Sequence, residues 1–284
     1  VGFFPFHIED SERFFPDHDL VACDSGVYAG KSNQARNTFN SKVTAYHIGR
    51  IWFKLLRPDL AGRIEHLRDI TPENLGLDKA SFVRLLSQLP ARIGRAEVQS
   101  AFVQIAETER ERLERMFLSH DAPAGGYAVR DVVLFGLSEM ARARRCLDLL
   151  KTGDAAGLGR LMTLSHDGDR VSEKDARGQL SRACLGLNDA GFSAWANETG
   201  PGADIANRTG SYGCSLPEID RIVDLAIQQP GVRGAQLAGA GLGGCVMVLV
   251  EREHAAGLLK TLGNAGIRAE IFRPIAGACG LELV

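Results

Sequence analysis

The sequence predicts an α+β fold: an antiparallel sheet covered by helices, in a ferredoxin-like split βαβ arrangement. Three observations in its last third predict it. Apolar residues at Ile219, Ile222, Val223, Ala226 and Ile227 form one helix stripe, because positions three and four apart share a helix face. Two apolar runs, residues 235–238 and 245–251, flank a glycine-rich segment as paired strands would. A second amphipathic stretch, with Ala255, Leu258, Leu259 and Leu262 inward, precedes strand-like runs at 269–273 and 281–284. Helices alternating with hairpin-linked strands lead to a sheet with helices on its face.

The remaining elements follow in chain order. Residues 1–6 read as a strand that needs a partner, and residues 20–23 as a short buried strand running into the polar turn at Asp24-Ser25-Gly26. From residue 37 the positions Ile48, Ile51, Trp52 and Leu55 recur at helical spacing until Pro58 stops the helix. Phe82, Leu85, Leu86 and Leu89 mark another helix, and residues 98–116 continue as a helical pattern whose charges at 107–115 read as a solvated face. Residues 129–151 read as one long helix ended by Thr152-Gly153-Asp154, and 155–166 as a shorter one. The polar stretch 167–210 reads as an irregular insertion or a lid, with Trp195 packed. Ser215-Leu-Pro-Glu218 has the spacing of a capping box at the start of the next helix.

Composition excludes several function classes. The 284 residues are 45% hydrophobic and 24% charged, within the range of folded globular chains, and the formal charge of −2 has no cationic footprint for nucleic acid. The apolar runs fall far short of the roughly 20 residues that span a bilayer, so neither membrane nor nucleic acid is an expected partner and the protein is expected to be cytoplasmic. Six scattered cysteines without a C-x-x-C pair suggest reduced, buried thiols rather than a metal site.

Chemistry concentrates in residues 234–250, where Gly239, Gly241, Gly243 and Gly244 occupy four of six positions between two strands. Such density points to backbone at positive φ or to close approach of a ligand, including an anion met by N–H groups; a tight hairpin against a helix is the other reading. A Walker loop is excluded because no Gly-Lys-Ser/Thr follows, and a dinucleotide fold because a strand, not a helix, comes next.

Ser215-Leu-Pro-Glu-Ile-Asp220, Gln229-Pro-Gly-Val232 and residues 234–250 together resemble the third motif region of galactokinase-type GHMP kinases. Upstream and in the same order, Lys151-Thr-Gly-Asp154, Leu158-Gly-Arg-Leu-Met162 and Ser165-His166 are similar to that family's Gly-Asp, Phe-Gly-x-Leu-Met and Ser-His pattern. Cys23-Asp-Ser-Gly-Val27 resembles the strand end before its sugar-proximal helix. The resemblance implies a GHMP-kinase C-terminal lobe in residues 37–284, with helical insertions near 59–127 and 171–210, preceded in residues 1–36 by the end of the N-terminal lobe.

It further implies transfer of the γ-phosphoryl of ATP, with Mg2+, to a sugar hydroxyl, usually the anomeric one. The substrate- or phosphate-proximal residues carried over are Gly239, Ala240, Gly241, Gly243 and Gly244, with Ala240 standing where the family has a further glycine. Arg36 falls where the family has a sugar-contacting tyrosine, and a guanidinium there would suit an acidic sugar; a solvated arginine is the other reading. Asp24 is either a substrate-side carboxylate or an Asx-turn former. His166 reads as a structural hydrogen-bonding residue. The family's phosphate loop and catalytic Asp have no candidate in these residues and are expected upstream of Val1, in an N-terminal lobe. The chain alone is therefore expected to be inactive, and a non-catalytic sugar-sensing or interaction module with the same fold is the alternative.

Overall fold

The computed structural model describes residues 12–28, 33–174, 180–182 and 186–273. The strands expected at 1–6 and 281–284 lie outside them. In chain order the elements are β1 (His18–Asp24), α1 (Asn33–Leu56), α2 (Pro72–Leu75), α3 (Lys79–Ser87), α4 (Arg95–Ala101), α5 (Glu107–Phe117), α6 (Val129–Thr152) and α7 (Ala155–Asp169). There follow β2 (Ser172–Lys174), β3 (Leu180–Arg182), α8 (Asp189–Asn197), α9 (Pro217–Ala226), β4 (Val232–Ala238), β5 (Cys245–Glu251), α10 (Ala255–Asn264) and β6 (Ala269–Phe272). Among the described residues no helix is long and apolar enough to cross a membrane.

The expected α+β architecture is present. An antiparallel sheet of order β4-β5-β1-β6 carries the C-terminal strands, and β2 and β3 form a separate antiparallel pair. Strand alternation sorts its side chains: Val21, Cys23, Ala235, Leu237, Val246, Val248 and Val250 pack with α9 and α10 on one face. Leu249, with Met247 and Leu20, meets α7 on the other. A second, larger core joins α1, α3, α5, α6 and α8 around Phe53, Phe82, Phe117, Val133 and Trp195. The two bodies are linked where α6 turns into α7 through Gly153, a left-handed C-cap, and Asp154, whose side chain accepts the Gly157 N–H.

β1, N-terminal to the boundary expected at residue 36, pairs with β5 on one edge and with β6 on the other. Other expectations need correction. Residues 98–116 are two helices, broken at 102–106 where Phe102 turns inward and is buried. The 107–115 run is not wholly a solvated face, since Leu113 is buried and Glu109 pairs with Arg50 at 2.5 Å. The stretch 167–210 is not structureless: it completes α7 and holds the antiparallel pair β2–β3 and α8, whose Trp195 is 2% exposed and donates its indole N–H to the Ala203 carbonyl. The capping box at Ser215 does not form. Leu216 is the N-cap residue, and the Ser215 hydroxyl is drawn instead to buried Asp220 at 2.6 Å, a charge-assisted bond.

The closest packing in the sheet body is backbone on backbone. A Cβ placed on Gly159 of α7 would lie 2.1 Å from the Arg233 carbonyl oxygen, and one on Gly234 of β4 would lie 1.8 Å from the Gly159 carbonyl oxygen. Glycine at both positions is what lets α7 lie directly on β4. Gly159→Ala is therefore expected to lower stability by about 1–3 kcal/mol, the usual range for overpacking. Gly257→Ala on α10, where a Cβ meets nothing within 4 Å, is expected to raise it by about 0.5–1 kcal/mol through helix propensity. Urea unfolding midpoints of the two variants test this; a neutral Gly159→Ala would refute the close-packing argument.

Candidate functional site

The glycine segment is the connection between β4 and β5, whose last pair is Ala238 opposite Cys245. Gly239, Gly241, Leu242, Gly243 and Gly244 have φ of 90°, 81°, 61°, 134° and 92°. That run explains the glycine density, since a residue with a Cβ pays about 1–2 kcal/mol in the left-handed region. Leu242 is held there by its own N–H, which donates to the Cys214 carbonyl at 2.7 Å. Cys214 also walls the loop from beneath: a Cβ on Gly241 would fall 2.1 Å from the same oxygen. On the opposite flank the Gly244 N–H donates to Val27 O, and the Ser25 N–H to Gly244 O, both at 3.0 Å. The loop is thus clamped on two sides. Its tip, Gly239 and Ala240, is exposed, and neither amide donates to a protein acceptor among the described residues. Free amides on a constrained backbone are suited to meet phosphate or hydroxyl oxygens.

Asp24 shapes the neighbouring turn. Its Oδ1 accepts the Gly26 N–H at 2.9 Å and its Oδ2 pairs with Arg268. The Gly26 hydrogen bond first, and Arg268 second, hold the carboxyl below its usual range. The Asx-turn reading of Asp24 is therefore realised. Arg36 is exposed on the first turn of α1 and is absent from the lining of both cavities that flank the loop.

One of these cavities, about 640 Å³, lies over β1 and β6 and is lined by Asp24, Val27, Tyr28, Gly244, Arg268 and Phe272 among others. The other, about 630 Å³, lies between α6, α7 and β4 and reaches Gly239 and Ala240. Its wall includes Tyr212, whose ring stacks on Phe135 at 4.8 Å and on Tyr46 at 5.7 Å. Glu139 there takes two hydrogen bonds from Arg142 and one from the Ser165 hydroxyl at 3.0 Å. Asp169 lines the same cavity, and desolvation pushes its carboxyl up to about 7 although the Cys214 N–H, 3.3 Å from Oδ1, opposes the shift. Asp169, Tyr212 and Cys214 were not singled out in the sequence. They converge only through the fold, which brings residue 169 beside residue 214.

His166 is fully buried, its Nε2 3.2 Å from Asp220 Oδ1. Asp220 also accepts the Ser215 hydroxyl at 2.6 Å and the Ser172 N–H and hydroxyl, each at 2.8 Å. Desolvation raises the Asp220 carboxyl, but the bonds from His166, Ser215 and Ser172 outweigh it and leave the pKa lowered. This group ties α7 to β2 and α9. A histidine sealed in that position is structural.

The two acids give opposite pH signatures. The folded-state pKa of Asp169 is raised from 3.8 to about 7, so between those values the native state binds the extra proton and stability falls as pH rises. Asp220, with a lowered folded pKa, contributes stability that is complete above the unfolded value of 3.8 and is lost as pH falls below it. Asp169→Asn is expected to flatten the stability profile between pH 4 and 7 and leave the acid limb unchanged. Chemical denaturation at a series of pH values measures both; a profile of the same slope in the variant would remove Asp169 as the cause.

Residues 192–267, which contain α9, β4, the glycine loop, β5 and α10, match the family described as GHMP kinases C terminal. A galactokinase of Clostridium perfringens is 42% identical over 54 residues, covering 19% of this chain and 14% of that protein. A galactokinase of Exiguobacterium sibiricum is 27% identical over 129 residues, 45% of this chain and 23% of that protein. The human galactokinase is 43% identical over 44 residues, 16% of this chain and 11% of that protein. The chain thus aligns with less than a quarter of each of these relatives. Lactococcus lactis galactokinase, solved in complex with galactose, superposes with a TM-score of 0.43 and 16% identity, over 91% of this chain and 45% of that one. Residues 192–267 thus match the C-terminal domain of the GHMP kinases, and parts of the chain are similar to galactokinases.

Proposed function

We propose that this chain serves an ATP-dependent sugar kinase of galactokinase type, which transfers the γ-phosphoryl of ATP to the anomeric hydroxyl of a sugar. The hydroxyl oxygen attacks the γ-phosphorus, ADP leaves with the bridging oxygen, and the hydroxyl proton is lost. The observation that carries the reading is the clamped glycine loop, with the free amides of Gly239 and Ala240 at its tip, inside the segment that matches the family. Reactions of this kind depend on positioning and on fixed dipoles around the transferring group. Gly241, Gly243 and Gly244 would hold the loop in shape while Gly239 and Ala240 face substrate or phosphate. Residues 37–284 would act as the C-terminal domain of a cytoplasmic enzyme, with insertions near 59–127 and 171–210, working with an N-terminal lobe.

The described residues fit the two implied cofactors unequally. The loop amides could meet a phosphate of ATP. For Mg2+ no described residue is assigned: among the described residues, the group of three ligand-type side chains, Glu251, Glu253 and His254, lies at the opposite end of β5 from the loop. No step is assigned to the metal, and none of the described residues is assigned as the base.

The full-length protein is expected to release ADP from ATP in the presence of a sugar such as galactose. Gly239→Ala, where a Cβ meets nothing within 4 Å, is expected to lower kcat/KM by roughly 100-fold by displacing the tip while the protein stays folded. Gly241→Val would instead test folding, because its Cβ strikes Cys214. Full activity in Gly239→Ala would take the loop out of the site, and absence of phosphoryl transfer to every neutral and acidic sugar tried would overturn the kinase reading. Arg36→Tyr separates the two readings of Arg36: a shift of relative kcat/KM from acidic toward neutral sugars would put it at the sugar, and unchanged ratios would agree with its place outside both loop cavities.

A further inference from the structure

A third cavity, about 430 Å³, lies away from the glycine loop, between α1, α5 and the turn at 64–67. Its wall is built by two helical stripes. His47, Arg50 and Lys54 are spaced i, i+3 and i+7 on α1, and Glu109, Arg112 and Met116 repeat that spacing on α5. Glu65 completes the charged lining.

The charges do not cancel locally. Glu109 is already used: its Oε1 accepts Arg50 at 2.5 Å and its Oε2 lies 3.2 Å from His47 Nε2. Arg50 also donates to the Glu65 carbonyl, so it is held in place by two partners. Lys54, half-buried, and Arg112, exposed, make no ion pair or hydrogen bond to protein among the described residues. The fields of Arg50, Arg112 and Lys54 nevertheless converge on one point, since all three disfavour protonation of His47, which burial and these cations lower to about 4. His47 is 6% exposed, and its Nε2 makes no aligned hydrogen bond. Two cations without a protein partner among the described residues, beside a buried imidazole whose Nε2 has only the Glu109 carboxylate near it, give this cavity a positive field suited to an anion.

We propose that this cavity is an anion site for a small phosphate-bearing ligand, held by Lys54 and Arg112 against the Arg50–Glu109–His47 frame. Arg112 offers a planar fork and Lys54 a point charge, the pair of donors that suits a phosphate dianion. The charged residues of this site rest on α1 and α5, outside the matched residues 192–267, although its wall shares Tyr46 and Leu67 with the cavity that reaches Gly239. Arg50 is the positioning residue, fixed by Glu109, and Glu65 sets an upper limit on affinity by repulsion at the rim.

Calorimetric titration of the full-length protein with inorganic phosphate, at low ionic strength in a chloride buffer, tests the proposal. One saturable event per chain is expected, and Lys54→Ala and Arg112→Ala should each weaken it about tenfold, the usual loss of a hydrogen bond to a charged group. Glu65→Gln should tighten it. Gly239→Ala should leave it unchanged, which separates this site from phosphate met at the glycine loop. The variants alter unpaired surface cations, so thermal midpoints near that of the parent are expected and show that the fold is intact. No saturable heat, or a dissociation constant that responds to Gly239→Ala but not to Lys54→Ala and Arg112→Ala, would overturn the proposal.

Discussion

The constraint on which the rest of the structure depends is the central place of β1. Residues 18–24 pair with 245–251 on one side and 269–272 on the other, so the sheet closes only after more than 220 residues of intervening chain have been laid down. The β5 edge is paired along the whole strand and the β6 edge along residues 20–23, so most of β1 presents no open ladder. Everything between β1 and β4 must leave the sheet and return to it. The helical body is that excursion, and α7 is its way back, lying on β4 where Gly159 meets Gly234. Because closure is non-local, its entropy is repaid only when the last strands arrive, a topology that tends to fold slowly.

The same closure builds the loop. β1 ends at Asp24, and the turn that follows hands the Ser25 N–H and the Val27 carbonyl to Gly244. From the other side, Cys214 offers its carbonyl to Leu242. A backbone with five residues at positive φ would be costly to hold by itself, since each gives up conformational freedom that glycine has in excess. Clamps from two distant parts of the chain hold it in one conformation. The tip at Gly239 and Ala240 is then free of internal obligations.

What was legible in the sequence was local. The stripe on α9 and the hydrophobic run of β5 follow from periodicity, and the glycine density of 239–244 correctly announced unusual backbone. The errors arose where a distant partner outcompetes a nearby one. Ser215 has capping-box spacing, but Asp220, buried and already holding Ser172 and His166, is the stronger acceptor and takes its hydroxyl. Glu109 sat in a charge run that looked solvated, and only the packing of α5 on α1 reveals that Arg50 and His47 claim it. Asp169 and Tyr212 carried no signal at all, because their meaning comes from adjacency across more than forty residues.

That adjacency explains how the chain accommodates the residues between α7 and α9. The Tyr212 N–H donates to the Gly168 carbonyl at 2.7 Å, the Ser215 N–H to the Asp169 carbonyl at 3.0 Å, and Ser172 returns to Asp220. The stretch therefore leaves and rejoins the body at nearly one point. Extending a segment whose ends are already fixed together costs only the slow logarithmic rise of loop-closure entropy, about 0.6 kcal/mol for each doubling of length. Its interior offsets that cost with contacts of its own, through Trp195 and Phe192 in the helical core. The buried His166–Asp220 group is the clasp at the base of this excursion. It keeps Cys214, and with it the floor of the glycine loop, in register whatever the length of chain between.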